Sequence, residues 1–112
     1  RPSPGTAAYS AAKAGVIGFT RSVAQEWAPK VRVNCVTGGM IETEQSHLFY
    51  GDDAGIARVA ATVPLGRLAR PGDIGDACVF LASPLASYIS GANLVVDAAG
   101  ERPPFLEAAS AG

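Results

Sequence analysis

Cysteine, histidine and net charge are all scarce in this chain of 112 residues, and each shortage removes a class of function. The two cysteines, Cys35 and Cys78, stand alone without metal-ligand spacing, so no metal site is expected. Cys35 lies in an apolar strand and Cys78 in a helical pattern, where a free cysteine behaves as a small hydrophobe. Nothing demands a disulfide, which makes a reducing compartment, the cytoplasm, the default. A formal net charge of −1 gives no electrostatic basis for binding nucleic acid or an anionic membrane. No apolar run approaches the roughly 18 residues of a membrane span. Repeats and low-complexity tracts are absent. Residues 1–5 carry neither an initiating Met nor a signal-peptide core and read as a loop cut open.

What is present is a core-forming chain. Hydrophobic residues make up 48% of it, enough for one small domain and too short for two. Thr6 is placed to cap a helix running to about Trp27, where Pro29 stops it. Ala12, Val16, Phe19, Val23 and Trp27 recur at helical steps. A second set, Ala11, Ala14, Gly15 and Gly18, is small. Two interior glycines cost roughly 1 kcal/mol each against Ala, which suggests tight packing on that face.

Residues 31–36 read as a short strand whose near-continuous apolar run suits a parallel strand covered on both faces. Thr37-Gly38-Gly39 breaks it. Such a pair of glycines is usually a turn, but it also permits close backbone approach to a ligand at the carboxyl end of a strand. Residues 40–63 form an irregular stretch with short helices expected at 43–50 and 55–61, joined by Gly51-Asp52-Asp53. A loop of this length in a small domain is often a lid or binding loop. A lone histidine, here His47, is more often incidental than a ligand or base. After the connector at 64–70, Pro71 opens a helix with Asp73 near its positive end and an apolar stripe of Ile74, Ala77, Cys78 and Leu81. Ser83-Pro84 ends it. Residues 92–96 are the second buried strand, and 101–112 form a tail with an apolar patch at 103–106.

The alternation of helix and strand is that of an α/β parallel sheet. Two strands cannot cover the apolar faces of three helices, so the chain is expected to be part of a larger sheet. Within it, Tyr9 and Lys13 stand four apart and share one helix face. A fixed cation near a phenol favours the phenolate, which suits the pair to protonating a carbonyl oxygen or deprotonating an alcohol.

These residues carry a resemblance. Tyr9-Ser10-Ala11-Ala12-Lys13 is similar to the Y-x-x-x-K active-site helix of the short-chain dehydrogenase/reductase family. Residues 31–43 resemble its N-x-x-x-P-G-x-x-x-T segment. Pro64-Leu65-Gly66-Arg67, Phe80-Leu81-Ala82-Ser83, Tyr88-Ile89-Ser90-Gly91 and Val96-Asp97 resemble its closing stretches in order. The resemblance covers residues 5–100 and implies the C-terminal part of a doubly wound, parallel-sheet Rossmann fold. It implies an NAD- or NADP-dependent oxidoreductase that interconverts a carbonyl and a secondary alcohol, usually as a homotetramer or dimer. Tyr9 would be the acid/base, and Lys13 would hold the nicotinamide ribose. The backbone at Gly39, Met40 and Ile41, with the Thr43 hydroxyl, would meet the carboxamide and a nearby phosphate. Residues 40–63 would be the substrate loop, with Met40, His47, Phe49 and Tyr50 facing an apolar substrate such as a steroid or an acyl thioester. Asn34 would be structural.

Two stretches depart from the family pattern. Gly38 replaces the proline before the motif glycine, and Asp97-Ala98-Ala99 replaces D-G-G, putting methyl groups where positive φ is tolerated. The resemblance also implies a catalytic serine further ahead of Tyr9 than the eight residues that precede it, and a Gly-rich dinucleotide fingerprint. Both are expected in an N-terminal half, without which these residues would bind cofactor poorly and not turn over. The competing expectation is a non-catalytic domain of this type kept for oligomer association. Retention of both Tyr9 and Lys13 argues against it. A dehydratase or epimerase on the same scaffold is the third reading, because fold does not fix reaction.

Overall fold

The computed structural model describes residues 3–111; Arg1, Pro2 and Gly112, the ends of the expected N-terminal loop and C-terminal tail, lie outside the described residues. The order of elements is α1 (Ala7–Trp27), β1 (Cys35–Gly38), α2 (Ser46–Tyr50), α3 (Asp53–Ala61), α4 (Pro71–Ala82), a 3-10 turn (Pro84–Ala86), β2 (Asn93–Val96) and α5 (Pro104–Ala111). β1 and β2 form a two-stranded sheet. Its bonds run Cys35 N–H to the Ala92 carbonyl and Gly39 N–H to the Val96 carbonyl, so both strands advance together and the pair is parallel. The chain divides into two compact units, Arg1–Thr37 with Ala77–Leu94, and Gly38–Asp76 with Val95–Gly112.

In the first unit, α1 stops where expected because Ala28, preceding Pro29, is held extended at ψ 148°. Thr6 sits at the N-cap, but its hydroxyl donates to the Ser3 carbonyl at 2.7 Å and caps nothing. The buried face is Thr20, Val23 and Ala24, and the Thr20 hydroxyl avoids unpaired burial by donating to the Val16 carbonyl at 2.7 Å. The expected stripe is thus displaced by part of a turn. Val16, Phe19 and Trp27 are exposed, and nothing among the described residues packs against Gly15 or Gly18.

Strand β1 begins four residues later than expected. Residues 31–34 are outside the ladder: one backbone bond, Gly91 N–H to the Val33 carbonyl at 2.7 Å, joins them to the far segment, and side chains supply the rest. The Arg32 guanidinium donates to the carbonyls of Leu81 (2.8 Å), Ile89 (3.1 Å) and Ser83 (3.4 Å). It thereby satisfies the orphaned C-terminal end of α4 with a favourably placed cation. Asn34 acts as a surrogate strand: its Nδ2 donates to the Ile89 carbonyl at 2.9 Å and its Oδ1 accepts the Ala92 N–H at 3.0 Å. The structural reading of Asn34 is therefore correct. Coverage on both faces is not found, since Val31 and Val95 are exposed among the described residues. Cys35 is half-buried and Cys78 exposed; both are free thiols, so only the first behaves as a core hydrophobe.

In the second unit, α2 is shorter than expected because residues 43–45 are consumed by a turn. Thr43 N–H donates to Ser46 Oγ at 2.8 Å, Ser46 N–H returns to the Thr43 carbonyl at 3.1 Å, and Ser46 is 2% exposed. α3 starts two residues early because Asp52 caps it, accepting the Gly55 N–H at 2.8 Å. Val63 and Leu68 are buried below. The tail contains α5, which sequence reading left without structure. Pro104 is at home in a first helical turn, Ala108 and Ala109 favour propagation, and Arg102 N–H donates to the Thr62 carbonyl at 2.9 Å.

The turn after β2 keeps the backbone of a glycine pair without the glycines: φ is 55° at Ala98, 71° at Ala99 and 81° at Gly100. A left-handed alanine costs about 1 kcal/mol, part of which glycine gives back as unfolded-chain entropy. Ala98→Gly with Ala99→Gly should therefore stabilise the fold by about 1 kcal/mol, read as a higher urea midpoint at unchanged slope. A lower midpoint would show the turn to be unstrained.

Candidate active site

The first unit carries the Tyr9/Lys13 pair. Four residues apart on α1, they meet as the spacing requires, with Lys13 Nζ 5.3 Å from the Tyr9 ring centroid. Tyr9 is 60% exposed, and the ammonium over its ring offers three donors.

The second unit carries the other candidates. Gly39 passes so close to Asp97 that an added Cβ would lie 2.8 Å from the Asp97 Cβ and 2.9 Å from its Cα, so only glycine fits. A Cβ added at Gly38 would lie only 3.1 Å from Ile74 Cδ1 and 3.2 Å from Ile41 Cδ1, so those two side chains already fill the space that a larger residue would need. Beyond them Ile41 forms a parallel bridge with Ala69: Ala69 N–H donates to the Met40 carbonyl at 2.9 Å and Glu42 N–H to the Ala69 carbonyl at 2.7 Å. That register uses the neighbours of Ile41 and turns its own N–H and C=O to the opposite edge. One donor and one acceptor on that edge are what a carboxamide requires. The Thr43 hydroxyl accepts the Gln45 N–H at 3.2 Å, leaving its proton to give to an anionic oxygen. These residues fit the nicotinamide part of a dinucleotide. No Gly-rich fingerprint for its pyrophosphate occurs in the sequence.

Of the expected substrate contacts, Phe49 is exposed, Tyr50 and Met40 are half-buried, and His47 is engaged. His47 Nε2 lies 2.9 Å from Asp53 Oδ1, with both side chains largely in solvent. A pair so exposed contributes at most about 1 kcal/mol, so the α2–α3 hairpin depends on the Asp52 cap and buried Ser46 instead.

Sequence reading gave no role to the Arg67 and Asp73 pair. The guanidinium grips the carboxylate with two bonds, at 2.8 and 3.2 Å. The Arg70 N–H adds a third at 2.7 Å. Arg67, then the backbone N–H of Arg70, hold the Asp73 carboxyl down at about 2, and Asp73 in turn raises Arg67. The signal was an acidic residue in the first turn of α4 with an arginine six residues before it.

Residues 1–99 match a family model described as enoyl-(acyl carrier protein) reductase. The chain belongs to the short-chain dehydrogenase/reductase family. It is 50% identical over 90 residues to the 3-oxoacyl-[acyl-carrier-protein] reductase of Vibrio harveyi, covering 80% of this chain and 36% of that protein. The fold matches the ligand-free aldohexose dehydrogenase of Thermoplasma acidophilum with a TM-score of 0.82 at 33% identity, over 92% of this chain and 44% of the other. An NADPH-bound short-chain oxidoreductase from Pseudomonas aeruginosa matches with a TM-score of 0.75 at 39% identity, over 92% and 42%. The chain thus spans well under half of its relatives and corresponds to part of their parallel-sheet Rossmann fold. No helix among the described residues is long and apolar enough to cross a membrane.

Proposed function

We propose that this chain is the portion of an NAD- or NADP-dependent carbonyl reductase that supplies the acid/base pair and the nicotinamide cradle. The observation that carries the reading is the Tyr9/Lys13 pair on one helix face, in a chain half identical to a 3-oxoacyl-[acyl-carrier-protein] reductase. A bound nicotinamide would supply or accept the hydride. Tyr9 delivers its hydroxyl proton to the carbonyl oxygen, or removes the alcohol proton in reverse. Lys13 holds the ribose hydroxyls and stabilises negative charge forming on the phenolic oxygen. The Ile41 backbone edge, reached through Gly39 and Met40, receives the carboxamide, and the Thr43 hydroxyl a phosphate oxygen. Met40, His47, Phe49 and Tyr50 face the substrate, for which an acyl thioester suits the apolar loop and the relative's name. The catalytic serine and the dinucleotide fingerprint belong to the rest of the protein.

Exposed Val16, Phe19 and Trp27 on α1 favour burial against another chain. Association as a homo-oligomer, a tetramer or dimer in the cytoplasm, therefore accompanies this activity and does not replace it.

The family model and the relatives name different bonds, a C=C and a C=O. The test is to supply the intact protein with reduced nicotinamide dinucleotide and either a 3-oxoacyl or an enoyl thioester. Cofactor oxidation with the 3-oxoacyl thioester alone is expected. Oxidation with the enoyl thioester alone would replace carbonyl reduction by alkene reduction.

A further inference from the structure

We infer that Arg67 and Asp73 are positioning residues for the cofactor: through Ala69 they fix the register of residues 40–42, and so the Ile41 edge assigned to the nicotinamide carboxamide. This rests on the nicotinamide reading above.

The chain of contacts lies wholly within the second unit. Asp73 is in the first turn of α4, an element with an intact helical ladder behind it. Its carboxylate binds the Arg67 fork and the Arg70 N–H at once, and the same guanidinium also donates to the Leu68 carbonyl at 3.1 Å. The Arg70 carbonyl closes the loop by accepting Asp73 N–H at 2.9 Å. Residues 67–70 are thus tied at both ends to the start of a helix, with Leu68 anchored in the core at 3% exposure. Ala69, held between, contributes both of its backbone groups to residues 40 and 42.

That contact is an isolated bridge outside β1 and β2. Two hydrogen bonds without a continuing ladder resist sliding and twisting weakly, so beyond the Gly39 N–H bond to the Val96 carbonyl the orientation of Ile41 depends on Ala69. A bidentate guanidinium–carboxylate pair supplies the geometric restraint that a single contact lacks. An ion pair this exposed adds little stability by itself. Its value lies in where it directs the backbone.

The experiment compares two ligands on the intact protein: the reduced dinucleotide, and the matching ADP-ribose compound, which lacks nicotinamide but keeps every other group. Arg67→Met should weaken the dinucleotide about tenfold, the scale of one well-placed hydrogen bond, and leave the ADP-ribose compound unchanged. Arg67→Lys, which keeps the charge and loses the fork, should fall between. Asp73→Asn retains an acceptor for Arg70 and decides the matter if Arg67→Met does not fold, with the same selective loss expected. Equal weakening of both ligands, or of neither, would overturn the inference and leave Arg67 and Asp73 a purely structural pair. A wild-type protein that binds neither ligand would instead overturn the cofactor reading itself, and the inference with it.

Discussion

Tyr9→Phe in the intact protein should lower kcat by about 10²- to 10⁴-fold while changing the dissociation constant of the reduced dinucleotide less than twofold, the range expected for losing a positioned proton donor. The substitution removes one oxygen atom and keeps the ring over which Lys13 Nζ sits at 5.3 Å. The cation and the ribose-binding role proposed for it are therefore preserved, and Tyr9 is exposed enough that no buried contact is lost. The loss should fall on kcat because the proton is needed only as the carbonyl oxygen gains charge, an interaction stronger in the transition state than in the ground state. Lys13→Met should differ in kind, weakening cofactor binding along with turnover. A Tyr9→Phe protein with wild-type kcat would remove Tyr9 from the acid/base role. Equal losses in cofactor affinity and kcat would assign it to binding.

That pair was legible because both its members lie on one helix whose period fixes their relation. Spacing of four within an uninterrupted α1 leaves no freedom in which side chains meet. The buried face of the same helix was misread for a related reason. Of the expected stripe only Val23 is buried; Val16, Phe19 and Trp27 satisfy the period as well as Thr20 and Ala24 do, and periodicity cannot say which of two adjacent stripes has a neighbour to cover it. Thr20 would be rejected from a core by residue type alone; it is accepted because its hydroxyl bonds back to Val16.

Long-range side-chain bonds were the other blind spot. Arg32 and Asn34 replace a strand ladder with bonds to carbonyls and an N–H some fifty residues on, so residues 31–34 look like strand and are not assigned to one. Asp73 was placed correctly at the positive end of α4, yet Arg67 entered only as part of the Pro64-Leu65-Gly66-Arg67 stretch of the resemblance, and nothing in that pattern pairs it with Asp73. The Asp97 turn went the other way. A comparison of residue types flagged Ala98 and Ala99, and their positive φ values show that the turn is kept and the methyl groups carried.

Gly55→Ala should destabilise the protein by about 2 kcal/mol or more, against the ordinary preference for alanine in helices. At an unconstrained helical site this change gains about 1 kcal/mol. Gly55 is constrained: it is buried in the first turn of α3, and an added Cβ would drive into the Tyr50 carbonyl oxygen, with the Tyr50 carbonyl carbon at 3.2 Å and Asp52 Oδ1 at 3.4 Å behind it. The obstacle is backbone, so no rotamer change relieves it. The chain from Tyr50 to Asp52 turns through Gly51 at φ 87° and must move as a piece, pulling the Asp52 carboxylate off the Gly55 N–H that it caps at 2.8 Å. Steric cost and lost cap act in the same direction and exceed the helix-propensity gain. Because Tyr50, Phe49 and His47 ride on the displaced segment, substrate KM should rise severalfold while affinity for the dinucleotide, assigned to other residues, holds. Thermal midpoint, KM and cofactor titration on one preparation separate these effects. An unchanged or raised midpoint would mean that the α2–α3 connection yields freely, and a loop that yields so readily could not set substrate selectivity.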